Sequence, residues 1–226
     1  IIPKKIRIDK PMLMQIVRLG IPSGLQQMIV SFSNVLVMSY VNRFGSAAIA
    51  GFSSANKFDN FLGLPVNSFM LAITTFVGQN MGAKQIERVK KGINTCMFMG
   101  IGIVIAIGIP AYLFSDLCIR MFSQEADVIY YGSWMMRTLV PFYSILNIAQ
   151  VLTGAVRGTG NTTVPMLINV FYYCIIRQVF LAVAMMFVNS IVVVFWSYPL
   201  TWTLSAVTLF IYYKRGSWLK HSGVRG

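Results

Sequence analysis

Six long apolar runs limit most strongly what this sequence can fold into. A helix needs about 20 mainly apolar residues to cross the hydrocarbon core of a bilayer, which is about 30 Å thick. The runs lie approximately at Ile21–Tyr40, Phe61–Val77, Ile93–Phe114, Trp134–Leu152, Val164–Val188 and Ile191–Tyr213. They are apolar on nearly every face and are longer than the alternating segments of a membrane barrel. We therefore predict an all-α integral membrane protein with six transmembrane helices.

The charge balance supports this class. Charged residues make up 11% of the sequence, against about 25% in a typical soluble domain. The formal net charge is +13, from 19 Lys and Arg residues and 6 Asp and Glu residues. In a soluble chain such a charge suggests nucleic acid as a partner, but here the basic residues lie between the apolar runs. That placement is typical of membrane orientation and of contact with anionic headgroups, so we expect a lipid bilayer and no nucleic acid.

The positions of the basic residues predict the topology. Alternation of six helices puts four segments on one side of the membrane, and these hold 14 of the 19 basic residues. They are Lys4, Lys5, Arg7, Lys10, Arg18, Lys84, Arg88, Lys90, Lys91, Arg157, Lys214, Arg215, Lys220 and Arg225. By the positive-inside rule this side is cytoplasmic. We divide the chain into a cytoplasmic linker (residues 1–20), a six-helix lobe (21–213) and a basic cytoplasmic tail (214–226), in the plasma (inner) membrane.

Polar side chains inside four of the apolar runs are the candidates for a substrate-binding cavity. Polar groups are costly in a membrane helix, and here they recur at helical spacing on the first, second, fourth and fifth runs. The candidates are Gln26, Gln27, Ser31, Asn34, Asn67, Tyr143, Asn147, Gln150, Asn169, Tyr173 and Arg177. Hydrogen bonds that merely hold the helices together are the alternative. Four such stripes favour a shared, water-accessible cavity for bulky amphipathic substrates.

Two charged residues in or near the runs stand out. Arg177 near mid-helix requires a partner, and it either joins a carboxylate in a coupling network or anchors a helix junction. Asp59 lies at the predicted outer mouth of the second helix, where pairing with Lys57 or capping the helix start is the favoured interpretation.

Enzymatic function is not expected. The sequence shows no metal-ligand cluster, no Ser/His/Asp set and no paired carboxylates in its apolar runs. A phosphate-binding loop is missing as well. We predict no cofactor and no metal site, so a transporter of this composition would be driven by an ion gradient.

Several short motifs resemble those of the multidrug and toxic compound extrusion (MATE) family. Residues 75–83, TFVGQNMGA, are similar to its Gly-Gln-Asn-x-Gly-Ala signature, and residues 154–161, GAVRGTGN, followed by Pro165, are similar to its Arg-Gly-x-Gly-Asp/Asn loop. Residues 19–23, LGIPS, and 55–61, ANKFDNF, also resemble family segments. Each motif is weak alone, but the set occurs in the family's order and covers nearly all of the chain.

The resemblance implies a role in transport. MATE proteins have twelve helices in two lobes, so this chain would be the C-terminal lobe, with the N-terminal lobe as its partner. The implied activity is export of small organic cations in exchange for sodium ions or protons. Alternatives are a lipid or oligosaccharide flippase of the same superfamily, and a fragment or scaffold that is inactive without the N-terminal lobe. Family motifs imply structural and gating roles for Gly78, Gln79, Asn80, Gly82, Arg157, Gly158 and Gly160.

The chain departs from the family pattern at its acidic positions. NorM-type members carry a Glu in the first helix of this lobe and an Asp in the fourth, where this sequence has Val30 and Leu146. It is closer to the DinF-like branch, whose coupling acid lies in the N-terminal lobe. We therefore expect this half alone not to bind the coupling ion. For the motif glycines we expect tight turns with positive backbone angles, and for Arg157 hydrogen bonds to helix carbonyls.

Overall fold

The computed structural model describes residues 9–216 and Trp218, except for the side chain of Gln15. These residues form α-helices and short connections, without a strand. The helices are α1 (Lys10–Val41), α2 (Ser46–Gly82), α3 (Ile86–Leu113), α4 (Ser115–Arg120), α5 (Ala126–Leu139), α6 (Tyr143–Gly158), α7 (Thr163–Val170), α8 (Arg177–Phe187) and α9 (Ile191–Lys214). The basic residues Lys4, Lys5, Arg7, Lys220 and Arg225 lie outside the described residues.

Five segments of the described chain are long and apolar enough to cross a membrane, and the all-α membrane fold is confirmed. They are Ser46–Gly82, Ile86–Leu113, Ala126–Gly158, Thr163–Phe187 and Ile191–Lys214. The sixth predicted span is α1, which at 32 residues is long enough. It carries Gln26, Gln27 and Asn34, and these amides make it less apolar than the other five.

The first helix begins earlier than the sequence predicts. Asp9 accepts a hydrogen bond from the backbone N–H of Met12, and Pro11 follows in the first turn, so both favour a helix start here. Residues 10–20, predicted as part of the linker, are therefore helical. The apolar pattern missed this extension because Lys10 and Arg18 interrupt it.

Helix α2 is much longer than the predicted span Phe61–Val77. It starts at Ser46, directly after Gly45, which has φ of +88° and ends the preceding 3-10 turn (Asn42–Phe44). This extension moves Asp59 from a predicted helix mouth to the interior of α2. Capping of the helix start by Asp59 is therefore wrong.

The fourth predicted span is also longer than its apolar core. Helices α5 and α6 are joined by a 3-10 turn (Val140–Phe142) that contains Pro141, and together they form one span from Ala126. A proline ring cannot continue regular α-helical hydrogen bonding, so the turn tightens at this point. The predicted outer connection, residues 115–133, is thus largely helix, as α4 and the first half of α5.

The fifth span contains a π-helical segment, Phe171–Ile176, between α7 and α8. Such a wide turn inserts a residue into the helix and changes the direction of the side chains that follow it. Tyr173, Cys174 and Arg177 are all buried at this segment.

Helices α2 and α6 form the centre of the lobe and approach each other through glycines of α6. A Cβ atom on Gly158 would lie 2.6 Å from the carbonyl oxygen of Thr74, and one on Gly154 would lie 2.8 Å from Ile73. Gly158 and Gly78 are therefore helical packing residues, and the expected turn conformation there is wrong. Of the motif glycines, Gly160 has the positive φ, +88°, while Lys84 has φ of +57° just after α2.

Candidate functional site

A buried arginine is at the centre of the polar interior of the lobe. Arg177, the first residue of α8, is 2% exposed. One terminal nitrogen donates to the side-chain oxygen of Asn34 on α1 over 3.1 Å, and the other donates to the hydroxyl of Thr201 on α9 over 3.3 Å. The guanidinium therefore joins three helices.

Aromatic rings surround this guanidinium. Its central carbon lies 4.4 Å from the ring centroid of Tyr198 and 5.7 Å from that of Tyr173. Such contacts stabilise a cation out of water, more strongly when the cation is desolvated. Trp202 extends the aromatic surface, with its ring 6.1 Å from Tyr198 and 5.4 Å from Tyr143.

A carboxylate is close to the same region. Asp59 on α2 accepts a hydrogen bond from the hydroxyl of Tyr143 on α6. The predicted partner of Asp59, Lys57, instead lies over the ring of Phe122 at 4.6 Å. Pairing of Asp59 with Lys57 is therefore wrong.

Arg177 and Asp59 interact through space and make no direct ion pair. Within the described part of the chain, the ion pairs are Lys90–Glu87 and Arg137–Asp116. The charge of Arg177 nevertheless acts on Asp59. We call Asn34, Asp59, Tyr143, Tyr173, Arg177, Tyr198 and Thr201 the Arg177 cluster.

Other predicted cavity residues form a separate hydrogen-bonded group. The amide nitrogen of Asn169 donates to the hydroxyl of Thr153 over 3.2 Å, and its oxygen accepts from Ser205 over 2.8 Å. All three residues are buried. This arrangement is typical of hydrogen bonds that hold membrane helices together.

Asn147 is fully buried but only half satisfied. Its amide nitrogen donates to the carbonyl of Met97 over 3.3 Å, while its side-chain oxygen has no partner. The amide packs directly on Gly100 of α3, where a Cβ atom would overlap it. A buried carbonyl without a partner costs free energy and calls for an explanation beyond packing.

The remaining predicted cavity residues lie apart from these groups. Gln27, Ser31 and Asn67 are exposed, and Gln150 is half-buried. The structure therefore brings Asn34, Tyr143, Tyr173 and Arg177 together, and the prediction that all four stripes share one cavity does not hold for this lobe alone.

The two family-like loops lie at the same end of the bundle. Arg157 donates to the side-chain oxygen of Gln26 over 2.8 Å, so its expected bonds to helix carbonyls are replaced by a contact with α1. Asn80 is buried and donates to the carbonyl of Phe76 in its own helix over 2.7 Å, while Gln79 and Gly82 are exposed. These residues are structural in the described lobe.

Sequence reasoning missed several polar residues of the interior. Ser33 donates to the carbonyl of Tyr173 over 2.9 Å, and Gln178 donates to the Ser33 hydroxyl over 3.1 Å. Tyr198 and Thr201 belong to α9, which has no predicted stripe. Residues Ser197, Thr201 and Ser205, at spacings of four, were the signal that could have revealed it.

Comparisons with known proteins agree on one family. The MatE family profile matches residues 22–183. The chain is 26% identical over 203 residues to the probable multidrug resistance protein YpnP of Bacillus subtilis, covering 90% of this chain and 45% of that protein. It is 27% identical over 166 residues to YoeA, a probable multidrug resistance protein of the same organism, covering 74% and 36%. The chain thus spans less than half the length of these relatives.

A solved structure gives the same result for the fold. A crystal structure of MATE in complex with MaL6 superposes with a TM-score of 0.87 at 17% sequence identity. The superposition covers 98% of this chain and 50% of that one. The chain therefore has the fold of one lobe of a MATE transporter.

Proposed function

This chain belongs to the MatE family of membrane transporters, and from that premise we propose that it is the C-terminal half of a secondary multidrug antiporter. With an N-terminal lobe it exchanges sodium ions or protons for small organic cations across the plasma (inner) membrane. The observation that carries this proposal is the match of nearly the whole chain to one half of a MATE transporter. The chain needs no cofactor for this activity beyond the coupling ion.

Exposed polar residues on the membrane helices support a partner lobe. Gln27, Ser31 and Asn34 on α1 and Asn60 and Asn67 on α2 are exposed on the isolated lobe. Amides that faced lipid would lose their hydrogen bonds to water, which is costly. We infer that these residues face a water-filled cavity between this lobe and an N-terminal lobe.

The surface of α1 has the composition expected at the edge of such a cavity. Large apolar side chains lie next to its amides, including Met28, Phe32 and Val35, all exposed. A surface of methionine, aromatic and aliphatic side chains with a few amides suits bulky amphipathic cations, because it adapts to ligands of different shapes.

The proposed topology follows from the basic residues. Lys10, Lys84, Arg157 and Lys214 lie at helix ends that alternation of the spans places on one side of the membrane. We assign this side, with both termini, to the cytoplasm.

Ethidium efflux from energised cells tests the function. The chain would be expressed alone, fused behind an N-terminal MATE lobe, and as the fusion with Arg177→Ala. We expect gradient-dependent efflux from the fusion, little from the chain alone, and loss in the variant. Arg43→Ala is the matched control, because Arg43 is exposed and outside the Arg177 cluster. Well-expressed fusions that export none of several cationic dyes would contradict the proposal and favour a flippase or a scaffold.

A further inference from the structure

Asp59 is the exception among the acidic residues of the chain. The sequence has six Asp and Glu residues, and five of them lie at the beginning of a helix. They are Asp9, Glu87, Asp116, Glu125 and Asp127. A negative charge is stabilised there by the helix dipole and free N–H groups. Asp59 lies inside α2, far from either end, and needs a different explanation.

The surroundings of Asp59 combine one donor with an apolar wall. Tyr143 donates to its carboxylate and also lies 3.2 Å from its backbone carbonyl oxygen. A cavity of about 10 Å³ adjoins the carboxylate, which is room for about one water molecule. Met135, Met136 and Leu139 of α5 form the apolar wall.

The charged and titratable groups that face Asp59 come from three helices. They are Tyr143 on α6, Arg177 on α8 and Tyr198 on α9. Lys57, on the same helix, is held over Phe122, and the residues of α5 against Asp59 are apolar. Arg177 therefore supplies the positive charge that offsets an ionised Asp59.

We propose that Asp59, Tyr143 and Arg177 form a proton-binding site within this lobe, at which proton uptake competes with binding of a cationic substrate. The proposal rests on the antiport function given above and supplies its coupling group. It reverses the expectation that the coupling ion binds only to an N-terminal lobe.

The chemical step is the transfer of a single proton. A proton from water adds to an oxygen of the Asp59 carboxylate, and no other bond forms or breaks. In the ionised state Tyr143 donates to the carboxylate; in the protonated state the new O–H can donate to the tyrosine oxygen, since a phenol is both donor and acceptor. The net charge of Asp59 with Arg177 changes from zero to +1.

This change of charge is what would link the proton to the substrate. Arg177 lies directly beneath Asn34, which is exposed on α1. A cation bound at that surface meets a neutral pair when Asp59 is ionised and a net positive charge when it is protonated. Interactions between charges are strong where water is scarce, so protonation favours release of the cation.

Infrared titration of the purified 226-residue chain in lipid nanodiscs tests the proton site without any transport. We expect a carbonyl band of a protonated carboxylic acid to form on acidification and to be absent in Asp59→Asn. Asp116→Asn is the control, because this exposed carboxylate pairs with Arg137 at the protein surface and its removal leaves the band unchanged. In Tyr143→Phe, which removes the donor to the ionised carboxylate, the band is expected at higher pH.

A second readout separates this proposal from the proposed function. Ethidium binding to the same chain should weaken by about tenfold for each pH unit below the titration midpoint, as expected for competition with one proton, and this dependence should vanish in Asp59→Asn. If Asp59→Asn does not fold, Asp59→Glu should keep a band at a shifted frequency. An unchanged infrared titration in Asp59→Asn overturns the proton site, whatever the transport assay shows. A band that depends on Asp59, with no effect of pH on ethidium binding, overturns the competition between proton and cation.

Discussion

The hydroxyl of Thr74 on α2 lies between two backbone carbonyl oxygens, 2.7 Å from that of Met70 in its own helix and 3.0 Å from that of Gly154 on α6. A side chain at position 154 would separate the helices at this point, since its Cβ would lie 2.9 Å from the same hydroxyl. The contact between α2 and α6 therefore depends on the absence of a side chain at Gly154.

Gly154→Ala should destabilise the lobe. The added methyl group has no space between α2 and α6, and overpacking of this kind costs about 1–3 kcal/mol. Gly102→Ala is the matched control, because nothing lies within 4 Å of the position of its Cβ. Thermal unfolding of the purified protein in detergent would compare the two. Equal melting temperatures of both variants would show that the helices separate without cost.

Tyr143→Phe should cost more than the loss of one hydroxyl at the surface. It leaves the carboxylate of Asp59 without its tyrosine donor, and an unsatisfied buried polar group costs about 1–3 kcal/mol. Tyr112→Phe serves as the control, because Tyr112 is 41% exposed. A double-mutant cycle with Asp59→Asn isolates the interaction between the two side chains. Additive effects of the two single changes would contradict the contact.

Arg177→Lys should destabilise the protein although the charge is kept. A lysine ammonium cannot present the two separate planar donors that reach Asn34 and Thr201 while it also lies over Tyr198. Loss of a charged hydrogen bond costs about 1.5–3 kcal/mol.

The comparison for this change is Arg43→Lys. Arg43 is exposed and its guanidinium lies 5.2 Å from the ring centroid of Tyr40, so its exchange for lysine should leave the melting temperature nearly unchanged. If Arg177→Lys were equally well tolerated, the planar geometry of the guanidinium would not matter to the fold.

Asn147→Leu should keep or raise stability, in contrast to Asn169→Leu. The first change removes a buried oxygen that has no partner, whereas the second leaves both Thr153 and Ser205 without their amide partner. We expect a cost of about 2 kcal/mol for Asn169→Leu. Denaturation of both variants in the same detergent measures the difference. A larger loss for Asn147→Leu would mean that an ordered water molecule satisfies that oxygen.

The membrane fold was predictable from the sequence because it depends on the composition of local segments. Long apolar runs have few alternatives in a bilayer, so the existence of the spans and their class followed directly. The fifth and sixth predicted spans end within one residue of the structure, at Thr163–Phe187 and Ile191–Lys214, because the polar pair Asn189 and Ser190 separates them. Where apolar and polar residues mix, as in residues 46–60, hydropathy placed the helix boundary fifteen residues too late.

The candidate site was decided by the tertiary structure. The sequence identified Arg177 as a buried charge that needs partners, but the identity of those partners depends on which helix faces meet and on the π-helical segment just before it. Asn34 and Thr201 are 143 and 24 residues away from Arg177 along the chain. Asp59 was misplaced because its local sequence, next to Lys57, is typical of a helix end in water. Hydropathy and spacing determine which segments enter the membrane, whereas the pairing of Asp59 with Tyr143 exists only because α2 and α6 pack closely enough to bring them together.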